Sequence, residues 1–133
     1  WLGPRLAELQ AKWNPAAIVS ISGGHVDSLL LEWKKLGVRV RLLKFADYVA
    51  GCGVVYDLIT QGGLRHLGDE VLTAAVNGVQ KAFGRDNTSF YWSRKGSDVD
   101  ITPLVAVTVG VSVLDKRAAL PGGANERRKS VIL

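Results

Sequence analysis

From Pro103 to Leu114 the chain is almost unbrokenly apolar, with Thr102 placed to cap a helix and Pro103 at its first helical position. A helix that is apolar on nearly every side can only be stable inside a protein, so the rest of the chain must cover it. At 133 residues and 47% hydrophobic content there is enough material for one compact domain around it. The run is shorter than the roughly 20 residues of a membrane span, and no signal-peptide pattern precedes it. A soluble, cytoplasmic protein is expected.

The covering elements alternate. Leu2, Leu6, Leu9 and Trp13 share one helix face, which Asn14-Pro15 ends. Ala17 to Ile21 reads as a short buried strand, and Ser22-Gly23-Gly24 as a turn into a helix carrying Val26, Leu29, Leu30, Trp33 and Leu36, capped by Gly37. Val38 to Leu43 predicts a second strand and Ala46 to Thr60 a third helix. After Gly62-Gly63 comes a short Leu64-Arg65-His66 stretch, then Asp69 as cap of a helix with Leu72, Ala75, Val76 and Val79. Phe83 to Asn87 reads as a turn-rich connection and Ser89 to Ser93 as an aromatic strand ended by Gly96-Ser97. Strands alternating with helices imply an α/β domain with parallel strands. Residues 1–116 form that domain, and 117–133, with Glu126-Arg127-Arg128-Lys129, read as a flexible basic tail.

Seventeen Lys and Arg against twelve Asp and Glu give a net charge of +5, spread over the chain. That balance favours polyanionic partners and identifies none. The lone Cys52 excludes an internal disulfide or a Cys-rich zinc site and fits a reducing compartment. Ser22-Gly23-Gly24-His25 lacks the Walker lysine and the dinucleotide glycine spacing, so it reads as a turn, with an anion cradle as the rival. No Gly-x-Ser-x-Gly elbow supports a hydrolase triad.

The residues that could carry chemistry gather ahead of the apolar helix. Asp98 and Asp100 are two carboxylates at i and i+2, the second just outside a helix N-terminus whose dipole favours negative charge. Asp100 either faces a divalent cation or caps the helix, and local sequence alone favours the cap. Trp92-Ser93-Arg94-Lys95 puts a ring and two cations beside those acids, a mixture suited to a nucleic-acid backbone or to a solvated strand end. His66 is a phosphate contact or a structural histidine, and His25 is weaker still.

Several segments resemble the C-terminal nuclease domain of tailed-phage terminase large subunits, especially those of actinobacterial phages. They are Trp1 to Trp13, Ala46-Asp47-Tyr48 with Tyr56-Asp57, Gly63 to Gly68, and Trp92-Ser93-Arg94-Lys95 leading to Asp100-Ile101-Thr102-Pro103-Leu104-Val105-Ala106. The resemblance covers nearly the whole chain, and its last two motifs are the specific part. It implies a ribonuclease H-like nuclease fold, incomplete on its N-terminal side, in which three acids hold two Mg²⁺ or Mn²⁺ ions that cut concatemeric viral DNA during packaging.

By motif position Asp100 is the third acid, which makes it the catalytic and metal-ligating residue, with Asp98 as a second ligand and His66, Arg94 and Lys95 on DNA phosphates. The first acid belongs upstream of Trp1, and the place of the second holds Ile21, with Asp27 displaced onto the following helix. Two of the three acids are thus missing, metal binding is expected to be weak or absent, and activity of this chain alone is uncertain. Met is absent even at position 1, which agrees with an N-terminally truncated fragment or a decayed prophage copy. The implied partners are double-stranded DNA and, through the intact protein, the terminase small subunit and the portal. No membrane is involved, and without a Walker motif no ATP is bound. The implied location is the cytoplasm of an infected or lysogenic bacterial host. The alternative is a non-catalytic module of the same fold that binds DNA or packaging subunits.

Overall fold

The computed structural model describes residues 1–118, with side chains to Leu114, so the expected basic tail lies essentially outside the described residues. The described part is mixed α/β. Its backbone falls into two units, one from Trp1 to Phe45 and one from Ala46 onward.

In the first unit, α1 (Leu2–Trp13) leads to β1 (Ile18–Ile21), α2 (His25–Lys35) and β2 (Val40–Leu43). β1 and β2 pair in parallel, Ile18 opposite Val40 and Ile21 opposite Leu43, as the strand–helix–strand pattern predicts. Ser22 N–H extends the ladder to the Leu43 carbonyl at 2.8 Å. Gly23 and Gly24, with φ of 115° and 62°, make the sharp entry to α2, and α2 ends where Gly37 takes φ 76° and Val38 N–H reaches the Trp33 carbonyl. Close approach fixes α1 on α2. A Cβ on the buried Gly3 would lie 2.7 Å from Leu36 Cδ1. Gln10 adds a polar clasp, its Nε2 donating to the Gly37 carbonyl at 2.9 Å and its Oε1 accepting from Arg39 N–H at 3.2 Å.

The second unit contains α3 (Phe45–Thr60) beyond its first residue, α4 (Glu70–Gly78), β3 (Gln80–Phe83), β4 (Phe90–Ser93) and α5 (Thr102–Ala118). As expected, Asp69 caps α4, its Oδ1 accepting from Val71 and Leu72 N–H at 2.8 and 3.1 Å. Here the strands depart from the expected parallel pattern. Gln80–Phe83, which has no alternating apolar signature, is a strand, and it pairs antiparallel with β4 through the Gly84–Ser89 turn. Val79 lies just past α4 instead of inside it.

α5 is the buried axis of this unit, as its composition requires. From Leu104 to Val113 only Ala106 and Gly110 are exposed, and Leu114 continues that narrow stripe. Its buried hydroxyls find partners in the helix itself: Thr108 donates to the Leu104 carbonyl at 2.8 Å and Ser112 to the Thr108 carbonyl at 2.6 Å. The helix begins one residue earlier than Thr102-as-cap implies, because Val105 N–H bonds the Ile101 carbonyl and makes Ile101 the cap position.

Candidate metal and nucleic-acid site at the start of α5

The link between β4 and α5 is tightly built. Ser93 Oγ accepts from Gly96 N–H at 2.9 Å, Ser97 Oγ donates to the Ser93 carbonyl at 2.6 Å, and Gln80 N–H donates to Ser97 Oγ at 2.9 Å. These bonds hold the Arg94-Lys95 turn against the base of the hairpin while both cations remain exposed. On the chain side of the turn, Trp92 is buried and its Nε1 donates to Thr108 Oγ1 at 2.9 Å. Val99 continues the anchoring, since its side chain fills the space that a Cβ on Gly78 would need.

Asp98 and Asp100 flank Val99 and are both exposed. Asp100 Oδ1 accepts from Thr102 N–H at 2.9 Å, so the capping contact that local sequence favours is present. The Thr102 hydroxyl, then its N–H, and then the nearby Arg94 charge hold the Asp100 carboxyl below the usual carboxylate range. Asp100 is therefore an anion, and capping leaves lone pairs on its oxygens that can still face a cation.

Arg94 acts on a second group. Its charge opposes the rise of the buried Tyr48 phenol, which burial and then Cys52 push well above the ordinary tyrosine value. Burial also raises the Cys52 thiol, which makes it the inert core cysteine expected from its apolar setting. Arg94 thus stands within electrostatic reach of both the first turn of α3 and the start of α5, a role for Tyr48 that no local sequence motif signals.

His66 stands among other neighbours. It lines a groove of about 190 Å³ with Ile59, Leu64, Leu72, Thr73, Val76 and Asn77, and none of the four charged residues of the β4–α5 link takes part. Its Nδ1 accepts from Gly68 N–H at 3.1 Å, which leaves Nε2 as the ring's donor. In the first unit, Ile21 occupies the C-terminal end of β1, and Asp27 sits in the first turn of α2.

For a divalent cation, the residues fit only in part. Mg²⁺ and Mn²⁺ can be held through one or two carboxylates while keeping most of their water, and Asp100 with Asp98 nearby in sequence could serve one such ion. Among the described residues no group of three or more His, Cys, Asp or Glu side chains converges. They do not fit a two-ion set. No described helix is long and apolar enough to cross a membrane. Comparison with known proteins finds no matching family model, curated protein or solved structure.

Proposed function

We propose that this chain carries the C-terminal part of a ribonuclease H-like nuclease domain of the terminase large-subunit type. The observation that carries the reading is the ionised, exposed Asp100 at the mouth of a buried helix, with Arg94 in electrostatic reach and Lys95 beside it. In the intact domain Asp100 would ligate Mg²⁺ or Mn²⁺, Asp98 would assist, and Arg94, Lys95 and His66 would hold phosphates of concatemeric duplex DNA in the bacterial cytoplasm. Contacts with a small terminase subunit and a portal would belong to the intact protein.

A second reading, a non-catalytic DNA-binding module of the same fold, is favoured by Ile21 at the end of β1, where the resemblance calls for a carboxylate. One pair of assays separates the two. Duplex binding should weaken in Arg94→Ala/Lys95→Ala, with the salt dependence of log K reduced by about 2 if each contacts one phosphate. Unchanged binding would remove the shared premise of both readings. Mn²⁺-dependent plasmid nicking lost in Asp100→Asn would support the nuclease, whereas DNA binding without nicking would support the non-catalytic module.

A further inference from the structure

The β3–β4 hairpin presents a second surface. On one face of the hairpin, Lys81 pairs with Trp92 and Phe83 with Phe90, so the four side chains form a single ladder. The ladder grades outward from the buried Trp92 through the half-buried Phe90 to Phe83, which is 57% exposed. Ring contacts connect its members: Phe90 meets Trp92 edge-on at 5.3 Å and Phe83 at 6.4 Å. From α3, Tyr56 adds a ring 5.7 Å from Phe90 and is itself 40% exposed.

Lys81 is held by these rings. Its Nζ lies 3.6 Å from the Tyr56 centroid and 4.4 Å from that of Phe90. A lysine head normally sweeps through solvent on a four-carbon stem, but here two ring faces restrain the cation at the edge of an exposed aromatic surface. Between Gln80 and Ser93 the hairpin carries Lys81 and Arg85 against one acid, Asp86, whose carboxylate accepts from the Thr88 hydroxyl and N–H. The face therefore combines an open ring with a fixed cation on a hairpin whose net charge is positive.

We propose that this face binds unpaired nucleic acid, with a base stacked on Phe83 and the adjoining phosphate at Lys81. A base in a duplex is already stacked on both sides, so an exposed ring gains from unpaired bases specifically. The inference stands apart from the nuclease reading, which concerns duplex phosphates at Arg94 and Lys95 and depends on Asp100.

The test is fluorescence anisotropy with the full chain, using labelled oligo(dT) and a duplex of equal length. Phe83→Ala should weaken oligo(dT) binding between about 5- and 150-fold, the range expected for loss of one base–aromatic stack, and leave duplex affinity within about twofold. Lys81→Ala should weaken oligo(dT) binding and lower its salt slope by about 0.7. Phe83→Leu, which keeps an apolar side chain without a stacking ring, should bind like Phe83→Ala and guards against misreading a packing defect. Oligo(dT) binding unchanged in Phe83→Ala, or fully retained in Phe83→Leu, would overturn the proposal, as would equal losses for single strand and duplex. Because Asp100→Asn leaves this face intact, its loss of metal binding would bear only on the nuclease reading.

Discussion

Trp92 Nε1 donates to Thr108 Oγ1 at 2.9 Å, and the Thr108 hydroxyl donates in turn to the Leu104 carbonyl at 2.8 Å. This relay satisfies the indole of a buried ring and ties β4 to α5 just ahead of the Arg94-Lys95 turn. Thr108→Val keeps the shape and strands the indole donor, which should cost about 1–3 kcal/mol in urea unfolding. Thr108→Ser keeps the relay and should lose less. A Ser variant that loses more than the Val variant would mean that packing of the Thr108 methyl, and not the hydrogen bond, holds this junction.

At Gly51, α3 lies close against α5. A Cβ there would run into Ser112 Oγ and lie 3.2 Å from Ser112 Cβ and 3.4 Å from Thr108 Cγ2. Gly51→Ala should therefore destabilise the fold by about 1–3 kcal/mol through overpacking, less whatever helix propensity returns. Adding Ser112→Ala removes the nearest atom, so the double variant should be more stable than the sum of the single losses predicts. Strict additivity in denaturant titrations would contradict the close approach.

Asp69→Ala removes the acceptor for two N–H groups at the start of α4 and should cost about 0.5–2 kcal/mol, with Asp69→Asn close to wild type. Thermal unfolding of the three proteins at neutral pH checks this. An Asn variant as unstable as the Ala variant would show that the contact depends on charge instead of on the cap geometry.

These contacts also show which parts of the fold are legible in the sequence. Asp69 ahead of a periodic apolar pattern, the glycine stop at Gly37 and the saturated run after Pro103 are local signals, and each corresponds to the element it predicts. β3 is different, because Gln80-Lys81-Ala82-Phe83 is largely exposed and owes its strand conformation to pairing with β4. Without β3 the Lys81–Tyr56–Phe90 cluster is invisible, since it joins residues from three elements. The Arg94–Asp100 proximity follows from sequence order, whereas the influence of Arg94 on Tyr48 requires α3 to return beside the β4–α5 link.

The lowered pKa of Asp100 has a pH signature. Its folded value lies below the ordinary 3.8, so ionised Asp100 contributes stability that is fully present above that ordinary value and is lost as pH falls through the folded one. Asp100→Asn cannot titrate. The Tm advantage of wild type over the variant should hold steady from neutral pH down to the ordinary carboxylate range and shrink at lower pH. An advantage that grows on acidification would contradict the assignment of Thr102 and Arg94 as the groups that favour the anion.

The most direct measurement is calorimetric titration of Mn²⁺ into the wild-type chain and its Asp100→Asn variant. Weak, single-site binding in the wild type that disappears in the variant is the predicted result, and it would assign Asp100 a metal-directed role beyond its hydrogen bond to Thr102. No heat in either protein, or the same binding in both, would contradict that role and leave Asp100 with only its hydrogen bond to Thr102.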